Sequence, residues 1–196
     1  MDYQIRQGRE QDRRGIADTV VEAFYDQFKA LTTDKEGVAA GLARMLSPER
    51  FTVAVDEQDL VVGTVGLSDA GGYAVTVQAD ILRRAMGLIK GNIAAVALKD
   101  EFHGPQHFEP GQAHLELVAV RESARGHHLA QRMITHLLAQ GGHSLYTLDV
   151  VQGNEQVIPL YEGLGFSKTG TEKEKNGWAK GFSFRYLMAH RPAPGA

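Results

Sequence analysis

Polar and apolar residues alternate over 2–7 (DYQIRQ), the period of a short half-buried strand. The period then lengthens. Asp12 stands where it would cap a helix, and Ile16, Val20, Val21, Phe24 and Phe28 recur on one face of that helix. A second helix is predicted from Asp34 to Leu46, with Val38, Leu42, Met45 and Leu46 on one stripe and Ser47-Pro48 ending it. Phe51–Val55 and Leu60–Leu67 are β-rich runs around Asp56-Glu57-Gln58-Asp59, which predicts a hairpin. Tyr73–Gln78 reads as a further short strand.

From Asp80 the helical spacing returns through Ile81, Leu82, Ala85, Met86, Leu88 and Ile89. Gly91-Asn92 marks a break before more helical sequence up to Glu101. A loop rich in Gly, Pro and His follows from His103 to Gln112, so residues 69–112 read as an insertion. The second half is more regular. His114–Val120 is a strand, and 129–139 is a helix carrying Leu129, Met133, Ile134, Leu137 and Leu138 on one face. Leu145–Val151 is apolar enough for a central strand. A short helix over 154–163 stops at Gly163, and two last strands lie near Phe166–Lys173 and Phe182–Ala189. The expected architecture is α/β (α+β), a helix-flanked sheet made mixed by hairpins at both ends. One domain spans 1–190, and the Pro/Gly tail 191–196 should fray.

At 196 residues the chain suits a single domain, and 43% apolar with 23% charged residues excludes wholesale disorder. The absence of cysteine removes thiol catalysis, thiolate metal sites and disulfides together. A net charge of −3 gives no electrostatic reason to expect nucleic acid and favours cationic ligands. The polar start MDYQIRQGREQDRRG has no apolar signal region, and no run approaches the ~20 apolar residues of a membrane span. The expectation is a soluble cytoplasmic protein with no membrane partner.

The chemically informative stretch is 114–131, HLELVAVRESARGHHLAQ. A strand ends at Val120, a polar turn follows, and a helix begins near His127. Helix starts offer unpaired N–H groups and a partial positive charge to phosphate oxygens. Gly126 lets the backbone approach an anion closely, and Arg125 adds a fixed cation. Strand–Gly–helix turns are common, so a purely structural turn explains this stretch equally well. Neither G-x-G-x-x-G after a strand nor G-x-x-x-x-G-K-[ST] occurs. His103, His107, His114, His127 and His128 do not read as a metal site, because Gly-Pro inside HGPQH breaks the helix that would align a pair. No metal is expected. The stretch KTGTEKEKNG (168–177) reads as a solvated hairpin edge.

On these residues the sequence resembles the GNAT superfamily of N-acetyltransferases over about 50–190. The family's pyrophosphate signature, [QR]-x-x-G-x-[GA], falls on Arg125-Gly126-His127-His128-Leu129-Ala130, with His128 at the glycine position. The second signature matches Asn154, Leu160-Tyr161-Glu162 and Leu164-Gly165-Phe166. The resemblance implies that strand 114–120 splays from 145–151, so the backbone of Val118, Ala119 and Val120 pairs with the pantetheine arm of acetyl-CoA. It implies that amides of Gly126, His127, His128, Leu129, Ala130 and Gln131 hold the pyrophosphate and that Asn154 bonds the pantetheine amides, a use that competes with capping its own helix. A strand N–H would polarise the thioester carbonyl, and Tyr161 would be the acid for the departing thiolate, in competition with a plain packing role.

A base must take the amine's proton. Alternation places His114, Glu116, Val118 and Val120 on one strand face, which makes Glu116 the first candidate and His114 the second, beside an ordered water chain or a structural salt bridge of Glu116. The acceptor would be a primary amine of a small molecule or peptide, walled by Glu22, Tyr25, Asp26, Phe28, Glu101, Phe102, Phe108 and Glu109. The chain as an N-acetyltransferase, with room for a homodimer, stands against two alternatives: a non-catalytic acyl-CoA-binding or sensing module and a plain interaction domain.

Overall fold

The computed structural model describes residues 2–25, 33–103, 108–174 and 182–193. Seven strands form one sheet: β1 (Gln4–Gln7), β2 (Phe51–Val55), β3 (Val61–Asp69), β4 (Gln112–Val120), β5 (Leu145–Val151), β6 (Ser167–Lys173) and β7 (Phe184–His190). Their spatial order is β1-β2-β3-β4-β5-β7-β6, and every neighbouring pair is antiparallel except β4 and β5. The helices are α1 (Arg13–Ala23), α2 (Lys35–Ala43), α3 (Ala79–Met86), α4 (Leu88–His103), α5 (Leu129–Ala139) and α6 (Ile158–Gly163).

Side-chain alternation divides the interior into two cores, one on each face of the sheet. On the first face Phe51, Val53 and Val55 of β2 meet Ile16, Val20 and Val21 of α1, Leu42 of α2 and Ile81 and Leu82 of α3. On the second, Leu115 of β4 and Tyr146, Leu148 and Val150 of β5 meet Leu129, Met133, Ile134 and Leu137 of α5. Each large side chain so buried contributes roughly 1.5–3 kcal/mol.

Local signals explain the helix ends. Asp34 caps α2 through its carboxylate, which accepts the Gly37 N–H at 2.9 Å. Asp12 stands at the start of α1 but does not cap it. Its carboxylate is held by the Arg6 guanidinium at 2.6 and 3.0 Å and by the Arg9 N–H at 2.7 Å. Phe28, Asp26 and His107 lie outside the described residues.

The segment between β3 and β4 differs from expectation in two respects. Tyr73–Gln78 is not a strand of the sheet. It is an extended segment lying on the chain that follows α2, with Ser47 N–H donating to Ala74 O (2.9 Å) and Thr76 N–H to Met45 O (2.7 Å). The helical break falls at Gly87, whose φ of +80° ends α3. Gly91 instead lies inside α4, where an added Cβ would come within 2.5 Å of the Arg83 Cα, so it lets the two helices cross closely. This segment leaves and rejoins the sheet on one rung, Asp69 opposite Ala113. Asp69 is held there by Arg50 Nη1 (3.0 Å), and its other oxygen meets His143 Nε2 (3.1 Å).

Candidate active site

The site follows from what happens along β4. Toward β3 it is paired from Ala113 to Val120. Toward β5 the parallel pairing covers only Gln112, Ala113 and His114, and ends where His114 stands opposite Thr147. Beyond that rung the two strands separate, which opens a slot between 115–120 and 148–151.

A bulge bends β4 inside this region. Leu117 has φ +51°, a left-handed conformation that costs a branched residue roughly 1–2 kcal/mol, and the register against β3 shifts between Thr64 and Gly66. Thr64 Oγ1 holds the bulge by donating to Leu117 O at 3.0 Å. The extra residue breaks the alternation that the sequence suggested. Ala113 and Leu115 face the α5 core, whereas Leu117 packs with the α1 core and Val118 and Val120 return to the α5 side. His114 and Glu116 therefore share a face with each other but not with Val118 and Val120.

On that face His114 Nδ1 lies 3.0 Å from Thr147 Oγ1, and Nε2 lies 3.3 Å from Asp149 Oδ1. The second Asp149 oxygen accepts from Arg185 Nη1 (2.8 Å), and Arg185 Nη2 donates to Glu174 at 2.6 Å. These groups are largely buried: 13% exposed at His114, 17% at Asp149, 11% at Arg185 and 6% at Glu174. Burial alone would raise the Asp149 carboxyl, but His114 and Arg185 outweigh it and hold it below its ordinary value. Glu116 Oε1 accepts from Ser68 Oγ at 2.5 Å.

At the far end of the slot the chain turns into α5. Gly126 (φ +81°) and His128 (φ +55°) both take left-handed backbone, so the histidine adopts the conformation a glycine would. The first intrahelical amide of α5 is Arg132, which donates to His128 O at 3.0 Å. The amides of Leu129, Ala130 and Gln131 precede it and face outward from the helix start. Arg125 and Gly126 are exposed, with open space around Gly126. The His127 ring turns aside onto Tyr3, 5.1 Å between centroids. This loop suits a diphosphate.

Tyr161 comes from α6. Gly165 (φ +88°) turns the chain back after the helix, so the Phe166 ring meets the Tyr161 ring edge-on at 6.2 Å. Tyr161 is 7% exposed. Burial, with the Asp149 charge second, pushes its hydroxyl up to about 12, so it stays protonated at neutral pH. Asn154 does not cap a helix. It precedes a short turn at 155–157, and its side-chain oxygen accepts from Gln156 at 2.6 Å.

Of the expected acceptor wall, Glu22 is engaged with the Glu122 N–H (2.9 Å) at the exit of β4. The Tyr25 ring lies under Lys35 Nζ at 3.8 Å, and Phe108 meets Tyr73 at 6.0 Å. Asp149, Thr147, Arg185 and Ser68 escaped the sequence reading. Asp149 had a usable signal, since it is a lone charge in an apolar strand, as Glu116 is. Among the described residues no group of three or more His, Asp or Glu is placed to hold a metal ion, and no helix is long and apolar enough to cross a membrane.

Residues 16–166 match the model of the acetyltransferase (GNAT) family. No curated protein matches the sequence. Among solved structures, an N-acetyltransferase from Staphylococcus aureus Mu50 superposes with a TM-score of 0.64 at 17% identity, covering 95% of this chain and 99% of that one. A GCN5-related N-acetyltransferase from Kribbella flavida gives 0.59 at 18% identity, covering 97% and 98%. The ribosomal-protein-S18-alanine N-acetyltransferase from Escherichia coli gives 0.58 at 14% identity, covering 100% and 99%. At these identities the likeness is one of fold.

Proposed function

The chain belongs to the acetyltransferase (GNAT) family and is an acyltransferase, and from that premise we propose that it moves an acetyl group from acetyl-CoA to a primary amine of a small molecule or peptide, by direct attack in a ternary complex. The observation that carries this reading is the slot between β4 and β5 running into the amide-lined start of α5.

Acetyl-CoA supplies the activated acyl carbon as a thioester, together with a diphosphate and an extended amide-bearing arm. The backbone of Val118, Ala119 and Val120 binds the arm as a strand would, and Asn154, just past the end of β5, hydrogen-bonds the arm's amides. Arg125 and the amides from Gly126 through His127, His128, Leu129 and Ala130 to Gln131 bind the diphosphate. A β4 amide at the bulge polarises the acyl oxygen.

Glu116 takes a proton from the attacking amine as the C–N bond forms. His114 ranks second for this role because both ring nitrogens are already engaged. Tyr161 donates its hydroxyl proton toward the sulfur as the C–S bond breaks, and solvent exchange returns both groups to their starting state. With its phenol near 12 and thiols near ~8.5, Tyr161 acts through a hydrogen bond to developing charge more than through complete transfer.

Thiol release from acetyl-CoA in the presence of diamines, and of short peptides with free α-amines, tests the reading. Tyr161→Phe is expected to lower kcat about 100-fold or more while calorimetric acetyl-CoA binding changes little. Binding of CoA without turnover of any amine tried would overturn the transfer reading in favour of an acyl-CoA-binding module.

A further inference from the structure

Ser68 is 2% exposed on the same sheet face as Glu116, and its Cα pairs with that of His114 on β4. Its hydroxyl proton goes to Glu116 Oε1 at 2.5 Å, while its oxygen accepts the backbone N–H of Ala74 at 2.8 Å. Ala74 belongs to the insertion, and its carbonyl is tied in turn to Ser47 N–H at 2.9 Å. A hydroxyl that accepts one hydrogen bond becomes a better donor of the next, so the Ala74 amide polarises Ser68 toward the carboxylate.

Gly66 favours this chain of bonds. A Cβ on Gly66 would stand 3.1 Å from the Phe51 ring, 3.2 Å from the Ala74 Cβ and 3.2 Å from Glu116 O. A side chain at 66 would push these neighbours apart by a few tenths of an ångström, so the glycine lets the segment at Ala74 lie close against β3, where its N–H reaches Ser68. Two separate features of the sequence, a glycine and a serine two residues apart on one face of β3, thus serve a single contact.

We propose that Ser68 is a positioning residue for Glu116: it fixes one carboxylate oxygen, keeps the carboxylate in its ionised form, and connects the base to the acceptor-side insertion through Ala74. The proposal rests on Glu116 being the base. A hydroxyl donating to a carboxylate favours the charged form, so loss of the hydroxyl raises the carboxyl's titration midpoint. Among the described residues, the charged groups on this face include His114 of β4, Asp149 of β5, Arg185 of β7 and Glu174 just beyond β6, and Ser68→Ala leaves each of these side chains in place.

The test is a carbon-13 NMR titration of the glutamate side-chain carboxyls in the whole protein, with the Glu116 signal assigned by its loss in Glu116→Gln. Ser68→Ala should raise the Glu116 midpoint by about 0.5–1 pH unit, and Ser68→Cys, a weaker donor of similar size, by less. The acid limb of the pH profile for acetyl transfer to whichever diamine or peptide turns over should move up by the same amount. An unmoved midpoint in Ser68→Cys overturns the proposal even if Ser68→Ala fails to fold. Undiminished turnover in Glu116→Gln removes the assignment of the base, an outcome distinct from an unmoved midpoint.

Discussion

The two edges of β4 are made from one stretch of backbone yet do opposite things. Its β3 edge is paired from Ala113 to Val120, with the bulge at Leu117 absorbed by the Thr64 hydroxyl. Its β5 edge stops at His114. On the α5 side the interior remains continuous beneath the gap, with Val118 and Val120 packed into the same core as Leu148 and Val150. Packing therefore does not require the strands to separate. What separates them is direction, since a bulge increases local bend and twist and turns the second half of β4 away from its parallel neighbour. Backbone groups left on that edge need polar partners from water or from a ligand, which is why the proposed pantetheine arm is laid there.

If the β5 edge is held near the fork by side chains in place of backbone pairing, the largest effect should come from Asp149. Asp149→Asn removes the charge shared by His114 and Arg185, both largely buried, and is expected to cost about 3 kcal/mol in chemical denaturation. The Asp149 carboxyl titrates below its ordinary value in the folded protein, so its stabilising contribution is full at neutral pH and disappears as pH falls through that lowered range. The stability gap between wild type and Asp149→Asn should accordingly narrow below about pH 4. A gap of constant size down to pH 3 would show that ionisation is not what holds the fork.

The start of α5, the proposed diphosphate site, should respond more modestly. Arg125→Ala removes one exposed cation and leaves the backbone amides, so acetyl-CoA affinity measured by calorimetry should fall about tenfold, with the difference shrinking as salt rises. The smallest effect expected is at His128. Glycine adopts φ +55° freely but loses more chain entropy on folding, so His128→Gly should raise the unfolding free energy by only about 0.5 kcal/mol. His128→Val, branched at Cβ, should lower it. Equal stability of these two variants would contradict the left-handed geometry.

Regions with long, uninterrupted periodicity were legible in the sequence. The spacing of Leu129, Met133, Ile134 and Leu137 gives α5 its bounds of 129 and 139, and the apolar run from Leu145 to Val151 gives β5 its own. The two signatures likewise led to the start of α5 and to Tyr161. The bulge was not legible, because nothing in HLELVAV distinguishes Leu117 from its neighbours, and the hydroxyl that stabilises it belongs to Thr64 on another strand. Alternation thus carried the face of His114 and Glu116 too far along the strand. The reading of Tyr73–Gln78 failed for a related reason. Its β-like residues are extended, but their partners are residues 45–47, a pairing set by tertiary packing. Gly91 reads as a break in the sequence, because close helix contact and helix termination favour the same residue.

The segment between β3 and β4 departs from the sheet at Asp69 and returns at Ala113, directly opposite. With both feet on one rung, its length has little bearing on the strands that carry it, since doubling a loop adds only about 0.6 kcal/mol of closure entropy. The architecture is that of a socket with an exchangeable fitting. Evolution or design can trade one intervening segment for another while Arg50 and His143 keep the mounting point unchanged.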